Sequence, residues 1–193
     1  DILVIGSGAA GLQTAWSLAE AGREVLVAVR DELQDSNTAK AQGGIAAALG
    51  KDDDPSLHYQ DTLVAGAGLT DEKMAKIVVT EGPQAVLDLL HHGAQFDRNP
   101  DGTLALGREG CHSRNRIVHA NGDSTGAEVS RALRAIAGRE KRIRTLEHCY
   151  VTDLLVRDGI CWGAMALYQG KMLHIRARGT VLATGGVGRL FAH

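Results

Sequence analysis

The start of the chain places three glycines directly after a short apolar run, and this arrangement restricts the fold more than any other feature. Residues 2–5 read ILVI, which is typical of a strand buried on both faces. Gly6, Gly8 and Gly11 follow, and residues 9–19 have the composition of a helix. Glycines at these positions allow a tight turn, the close approach of a phosphate and the close packing of helix on strand. The segment predicts a turn that binds the pyrophosphate of a dinucleotide at a helix N-terminus.

The residues after the glycine turn support this interpretation. Gly22 is placed to end the helix, and residues 25–29 predict a second parallel strand, so the chain begins with a β-α-β unit. In many such units an acidic residue at the end of the second strand binds the ribose hydroxyls. Here the strand runs into Arg30, with Asp31 and Glu32 slightly later. Two interpretations of Arg30 stay open, a contact with a phosphate and a side chain in solvent.

The composition is that of a globular chain. Of its 193 residues, 44% are hydrophobic and 23% are charged, which suffices for one large domain or for one domain with a small second one. The formal net charge of −2 gives no field that attracts nucleic acid or an anionic membrane. No apolar run is long enough to span a membrane. The three cysteines lack CxxC spacing and the eight histidines lack metal-ligand spacing, so we expect reduced thiols, no metal site and a cytoplasmic protein.

The rest of the chain alternates predicted helices and strands. Apolar periodicity predicts helices at residues 57–69, 71–92 and 127–137, and strands at residues 142–146, 149–156, 160–168 and 172–177. The last three of these strands are separated by the pairs Asp158-Gly159 and Gln169-Gly170, which are typical of hairpin turns. Residues 180–183 predict a final strand that runs into a second glycine turn, residues 184–186. Ligands lie at such carboxyl ends of strands in open α/β sheets.

Two long loops are candidates for ligand binding. Residues 35–50 are small, polar and glycine-containing, which is typical of a loop that wraps a ligand, and residues 51–55 predict a surface turn. Residues 94–123 are irregular and polar. The concentration of polar and ionisable side chains in this second loop indicates a functional site. These side chains are Arg98, Arg108, Glu109, His112, Ser113, Arg114, Arg116, His119 and Asp123.

Several motifs together resemble known flavoproteins. The β-α-β start, the three-stranded meander and the sequence ATGG at residues 183–186 resemble the FAD-binding domain of flavoproteins of the glutathione-reductase type. The loop NTAKAQGGIAA at residues 37–47, with HYQDT at 58–62 and DSTG at 123–126, resembles the family of succinate dehydrogenase, fumarate reductase and L-aspartate oxidase flavoproteins. The resemblance spans the chain. It implies an α/β, Rossmann-like FAD-binding domain over residues 1–193, with a central parallel sheet and an inserted three-stranded β-meander.

The resemblance also implies FAD as the cofactor and assigns its contacts to a set of segments. They are the first glycine turn, the end of the second strand, the loop behind it, the meander and the second glycine turn. The implied cofactor-binding residues are Gly6, Ser7, Gly8, Ala9, Ala10, Gly11, Arg30, Asn37, Thr38, Ala39, Lys40, Ala41, Gln42, Gly43, Gly44, Val151, Thr184, Gly185 and Gly186.

Two positions distinguish members of this family. The respiratory members carry a loop histidine that bonds covalently to the flavin, whereas this chain has Asn37 there, which implies FAD held non-covalently. Residues 108–119 (REGCHSRNRIVH) resemble the R-E-G-G-H-S-x-x-R-I-x-H segment of the aspartate oxidases. A glutamate near a dicarboxylate site repels succinate or fumarate but attracts the ammonium group of an amino acid. Glu109 is therefore the candidate for amine recognition.

The neighbours of Glu109 complete the implied substrate site. His112 and Ser113 are the other candidate substrate-binding residues, although each has an alternative role in ordering the loop through hydrogen bonds. Cys111 stands where the family usually has glycine. No second thiol lies nearby in the sequence, which favours a small replacement over a redox role for Cys111.

The resemblance implies oxidation of L-aspartate to iminoaspartate by hydride transfer to FAD, with oxygen or fumarate as the acceptor. The product would enter quinolinate and NAD synthesis, with quinolinate synthase as a candidate recipient. Two alternatives stay open, a soluble fumarate reductase or succinate dehydrogenase flavoprotein and an FAD-binding module without catalysis. Members of the family are far longer, with a capping domain, a C-terminal helical domain and the catalytic residues downstream of the position of His193. We therefore expect an N-terminal fragment that does not turn over substrate by itself.

Overall fold

A computed structural model describes residues 1–186 of the chain. The helices are α1 (Ala9–Glu20), α2 (Pro55–Gly66), α3 (Glu72–His91) and α4 (Thr125–Arg139). The strands are β1 (Ile2–Ile5), β2 (Val25–Ala28), β3 (Ile45–Ala46), β4 (Leu106–Gly107), β5 (Ile117–Val118), β6 (Ile143–Leu146), β7 (Cys149–Arg157), β8 (Ile160–Tyr168), β9 (Lys171–Arg176) and β10 (Gly179–Leu182). The chain divides into two compact units: the first joins Asp1–Ala39 to the residues from Ser130 onward, and the second is Lys40–Val129. The single domain over residues 1–193 stays a prediction.

A four-stranded parallel sheet forms the centre of the first unit. Its strand order is β10-β1-β2-β6, so β1 lies between two neighbours, with Ile2 opposite both Gly179 and Val25. Leu3 and Val4 have no exposed surface, as expected for a central strand that is covered on both faces. The predicted central parallel sheet is therefore confirmed.

An antiparallel meander of β7, β8 and β9 follows β6 in the first unit. Asp158 and Gln169, each followed by glycine, have φ angles of 52° and 50° and turn the chain between these strands. One face of the meander contributes Ala164 and Ala166 to the core cluster that contains Leu3 of β1. The inserted three-stranded meander is confirmed, and its inner face packs on the parallel sheet.

The second unit contains a small antiparallel sheet that the sequence did not predict. The strand order is β3-β5-β4, and Val118 of the central strand pairs with Ile45 on one side and Leu106 on the other. Residues 94–123 are therefore not entirely irregular. Each strand has only two residues, which is too short for an alternation of apolar and polar side chains to be recognised.

The predicted surface turn at residues 51–55 is present at Lys51 and Asp52, which are exposed, and α2 begins directly after it. Oδ1 of Asp54 accepts hydrogen bonds from the N–H groups of Ser56 (2.7 Å) and Leu57 (3.3 Å), and Pro55 occupies the first turn of the helix. The preceding side chain, Asp53, has no exposed surface. The prediction is wrong for this residue, because its carboxylate binds a buried arginine and not water.

Candidate functional site

The first glycine turn lies at the carboxyl end of β1. Gly6 and Gly11 in this turn leave no space for a side chain, because backbone atoms lie too close to them. Gly6 has a φ angle of 112°, and a Cβ there would be 2.2 Å from the carbonyl oxygen of Ala183. A Cβ on Gly11 would be 2.0 Å from the carbonyl oxygen of Gly6. At Gly8, the one close neighbour of a Cβ within the described residues is Oγ1 of Thr38, at 3.3 Å. The backbone at Gly8 is thus open to a ligand.

The start of α1 has the properties of an anion site. Gly8 is the N-cap residue and has no side chain to cap the helix. The first N–H groups of a helix have no partner within the helix, and they carry partial positive charge. Ala9 N–H donates to Oγ1 of Thr38 at 2.9 Å. The loop residue Thr38 therefore lies beside the glycine turn, so two of the predicted cofactor-binding segments are neighbours and a pyrophosphate fits the remaining amides.

The second glycine turn lies beside the first. Ala183 N–H donates to the carbonyl oxygen of Ile5 at 2.9 Å, which continues the pairing of β10 with β1. A Cβ on Gly6 would be 3.4 Å from Cα of Thr184, and Gly185 has a φ angle of 77°. The structure thus brings residues 6–11, Thr38 and residues 184–186 to one edge of the parallel sheet, where ligands bind in open α/β folds.

The other predicted cofactor-binding residues lie outside the two glycine turns, and most of their side chains are exposed to solvent. The side chain of Arg30 is 56% exposed, and its Nε donates to Oδ2 of Asp31 at 2.7 Å, so the contact of Arg30 with a phosphate stays a prediction. The hydrogen bond and charge of Asp31 raise the pKa of Arg30. Val151 is half-buried in β7 and packs against the core cluster. Asn37 in the first unit and Lys40 in the second are exposed, as are residues 41–43.

Arg116 is the largest fully buried side chain of the second unit, and the sequence analysis listed it among the polar side chains of the second loop without giving it a role. Its Nε and Nη2 donate to the two oxygens of Asp53, both at 2.8 Å, and Nη1 donates to Oδ2 of Asp61 at 2.6 Å. This paired arrangement matches the planar guanidinium. The signal that could have found Arg116 is its place directly before the buried pair Ile117–Val118.

Asp61 of α2 joins Arg116 to the substrate-loop candidates. The N–H and Oγ of Ser113 both donate to its Oδ2 at 2.8 Å. Burial raises the pKa of Asp61, but the hydrogen bonds from Ser113 and Arg116 outweigh it and lower the pKa to about 2. Asp61 is therefore ionised in the folded protein near neutral pH, and it anchors the loop that carries the three substrate-binding candidates.

Two histidines extend the cluster. Nδ1 of His112 lies 3.1 Å from Nη1 of Arg116, and the ring centroids of His112 and His58 are 5.4 Å apart. His58 is buried, and its Nδ1 has no hydrogen-bond partner within the described residues. Burial, and then the positive charge of Arg116, lower the pKa of His58, so this ring is neutral near neutral pH.

His119 holds the amine-recognition candidate. Its Nε2 lies 3.1 Å from Oε1 of Glu109, and the Glu109 side chain is 55% exposed. The ring occupies a slot between two glycines, because a Cβ on Gly44 would be 2.9 Å from Nε2 and a Cβ on Gly107 would be 3.1 Å from Cε1. Sequence reasoning named Gly44 for the cofactor alone, whereas the structure shows that it makes room for His119.

The three substrate-binding candidates are thus each held by a different partner in the second unit. Glu109 contacts His119, His112 contacts Arg116, and Ser113 contacts Asp61. Cys111 lies between them as an exposed free thiol. Over residues 1–186, no helix is long and apolar enough to cross a membrane, and no group of three or more His, Cys, Asp or Glu side chains could hold a metal ion.

The first unit therefore has the features of a dinucleotide-binding α/β domain: a parallel sheet, glycine turns at its carboxyl edge and an open helix N-terminus. Comparison with protein families identifies the dinucleotide. The chain belongs to the FAD binding domain family, whose model matches residues 1–193. The predictions of an FAD-binding fold and of FAD as the cofactor are confirmed.

Individual relatives agree with this assignment. The chain is 48% identical over 198 residues to an L-aspartate oxidase of Streptomyces coelicolor, covering 100% of this chain and 34% of the relative. It is 47% identical over 190 residues to an L-aspartate oxidase of Mesorhizobium japonicum, covering 98% of this chain and 37% of the relative. The fold is similar to a chain of the Mycobacterium smegmatis Sdh1 complex in the apo form, with a TM-score of 0.93, 34% identity, and coverage of 99% of this chain and 35% of that one. This chain spans about a third of the curated relatives it matches.

Proposed function

We propose that the protein oxidises L-aspartate to iminoaspartate. When bound, FAD supplies the acceptor for the hydride from the substrate Cα and passes the electrons to oxygen or fumarate. The observation that carries the proposal is the exposed carboxylate of Glu109, which His119 holds in the same loop as His112 and Ser113. The similarity to enzymes named L-aspartate oxidase supports the same substrate.

Glu109 accounts for the proposed selectivity of the protein for a substrate that carries an amine. The hydrogen bond from His119 reaches Oε1 and leaves Oε2 to bind the substrate ammonium group. Succinate and fumarate carry two carboxylates and no cation, so the same glutamate repels them. His112 is the proposed partner of a substrate carboxylate, since an imidazole N–H donates hydrogen bonds to it. Ser113 donates its one hydroxyl hydrogen to Asp61, so its proposed contact with the substrate requires the exchange of that hydrogen bond.

The proposed cofactor contacts use both glycine turns and the loop behind β2. The pyrophosphate binds the backbone at Gly8 and the start of α1, where the N-cap residue has no capping side chain. Gly6 shapes the turn, and its own N–H donates to the carbonyl oxygen of Ala28. Asn37 lies in the loop at the position of the linking histidine of respiratory relatives. A neutral carboxamide is not a nucleophile of that kind, so FAD is held non-covalently.

The proposal extends to a place in metabolism. Iminoaspartate is the product that begins de novo NAD synthesis through quinolinate, so quinolinate synthase is the proposed recipient. The proposed compartment is the cytoplasm. These assignments rest on the similarity to L-aspartate oxidases.

Anaerobic bleaching of the bound flavin tests the proposal. We expect L-aspartate to reduce the flavin of the purified full-length holoprotein, and we expect succinate to do so far more slowly. Glu109→Gln removes the charge and should raise the KM for L-aspartate by about tenfold or more, the cost of one charge-assisted contact. Glu81→Gln, an exposed position on α3, is the matched control and should change nothing. Equal reduction by both substrates would contradict the assigned selectivity.

A second candidate is a fumarate reductase or succinate dehydrogenase flavoprotein, which the fold similarity to the Sdh1 complex supports. It predicts the reverse result, with reduction by succinate and none by L-aspartate. An FAD-binding module without catalysis predicts that neither substrate bleaches the flavin. The same measurement therefore separates the three functions.

A further inference from the structure

Arg116 determines which nitrogen of His112 carries a proton. A guanidinium has five N–H donors and no acceptor, and it stays protonated at every pH at which proteins are folded. Its Nη1 lies 3.1 Å from Nδ1 of His112, so Nδ1 must accept this hydrogen bond and carries no proton itself. The ring proton is then on Nε2, which makes His112 a neutral Nε2–H donor.

The donors of Arg116 are distributed so that this contact is fixed. Nε and Nη2 each use one N–H on Asp53, and the two N–H groups of Nη1 serve Asp61 and His112. The guanidinium has no exposed surface, so water does not compete for these hydrogens. Among the described residues, the His112 ring is in contact with the guanidinium of Arg116, which also binds Asp53 and Asp61, and with the neutral ring of His58.

The other nitrogen of His112 is available to a ligand. The His112 side chain is partly exposed, and within residues 1–186 its Nε2 makes no hydrogen bond. We propose that Arg116 is a positioning residue that holds His112 as the Nε2–H tautomer, so that His112 donates a hydrogen bond to a substrate carboxylate. The identity of the ligand rests on the proposed function, whereas the tautomer rests on the geometry alone.

The tautomer can be read directly by nuclear magnetic resonance. In the full-length protein with ¹⁵N-labelled histidine, long-range proton–nitrogen correlations distinguish protonated from unprotonated ring nitrogens, and His112→Gln assigns the signals through their loss. We expect an unprotonated Nδ1 and a protonated Nε2 in a single tautomer without substrate. A protonated Nδ1, a doubly protonated ring or an average of tautomers at about pH 7.5 would overturn the proposal.

Two substitutions of His112 test its role as a donor, because each keeps an amide group near the position of only one ring nitrogen. Glutamine places an amide donor near the position of Nε2, whereas asparagine places it near that of Nδ1. We expect His112→Asn to raise the KM for L-aspartate about tenfold or more and His112→Gln to raise it by less than about threefold. His174→Gln, at an exposed position on β9, is the matched control and should leave KM unchanged. Equal KM values for the two His112 variants would overturn the donor role.

Arg116→Lys tests the positioning residue itself. Lysine keeps the positive charge, but one ammonium group cannot reproduce the fork that reaches Asp53, Asp61 and His112 together. We expect the folded variant to show a mixture of His112 tautomers and a raised KM, and a single Nε2–H tautomer in it would overturn the role of Arg116. If this variant does not fold, the nuclear magnetic resonance spectrum of the wild-type protein decides whether His112 is held as the Nε2–H tautomer. A wild-type protein that does not oxidise L-aspartate contradicts the proposed function and leaves the spectrum to decide the tautomer.

Discussion

At the scale of single residues, the second unit depends on a cation that has no access to water. Arg116 and Asp53 are both fully buried and share two hydrogen bonds of 2.8 Å. A buried pair of this kind adds little net stability compared with an apolar pair, but removal of one partner leaves the other with buried polar groups that have lost their hydrogen bonds. Asp53 is thus a position where a small chemical change has a large cost.

We expect Asp53→Asn to lower the free energy of unfolding by about 1–3 kcal/mol, because the amide offers one acceptor oxygen to two guanidinium N–H groups and leaves Asp61 as the counter-charge of Arg116. Urea denaturation followed by circular dichroism measures this change. Asp52→Asn is the matched control, since Asp52 is 79% exposed and lies 3.7 Å from Arg114, and it should cost less than about 1 kcal/mol. Equal effects at the two positions would show that the buried pair is not required.

Asp61 makes the free energy of unfolding depend on pH in the acidic range. Its pKa is about 2 in the folded chain and about 3.9 in an unfolded one, so the unfolded state binds the proton first as the pH falls. The contribution of Asp61 is complete above about pH 4 and is lost as the pH falls to about 2. We expect Asp61→Asn to reduce the slope of unfolding free energy against pH in this range. An unchanged slope in urea titrations at stepped pH would contradict this account.

At the scale of elements, Gly11 and Gly8 of the first turn have different roles, the first in packing and the second in access to the cofactor. Gly11→Ala places a Cβ 2.0 Å from a backbone oxygen, so we expect a loss of about 1–3 kcal/mol or more in the protein without FAD. Gly8→Ala meets only tight contact with Oγ1 of Thr38 at 3.3 Å, so the fold should persist while the Kd for FAD rises about tenfold or more. Thermal unfolding and flavin titration measure the two effects, and equal loss of stability in both variants would be inconsistent with this division.

The elements also show what the sequence could and could not predict. The glycine turn and the meander follow from local signals, an apolar run before glycines and turn pairs such as Asp158-Gly159. The pairing of Arg116 with its two carboxylates has no local signal, because Asp61 and Asp53 lie 55 and 63 residues away along the chain. The same holds for the slot that Gly44 provides for His119. Local sequence signals therefore predicted the glycine turn, whereas the contacts that hold the loop of Glu109, His112 and Ser113 became visible only in the folded chain.

At the scale of the whole molecule, the link between protein and flavin is testable without kinetics. Acid precipitation of the holoprotein unfolds the chain and releases any cofactor that is not bonded to it. Because the resemblance implies that Asn37 replaces the linking histidine, we expect a colourless pellet and all of the FAD in the supernatant. A flavoprotein with a histidine-linked flavin, treated in parallel, should leave a yellow pellet. Yellow colour in the pellet of this protein would contradict non-covalent binding.

The buried pair of Arg116 and Asp53 also constrains how the sequence can diverge. Replacement of Arg116 alone leaves the buried carboxylate of Asp53 without its cation, and replacement of Asp53 alone leaves N–H groups of Arg116 without their carboxylate acceptor. Such intermediates are removed by selection when stability is marginal. Positions 53 and 116 should therefore vary together among descendants of this chain, or not at all. Asp52 is exposed and can be substituted at little cost in stability. Position 52 should therefore vary more among these descendants than position 53, although the two are adjacent in the sequence.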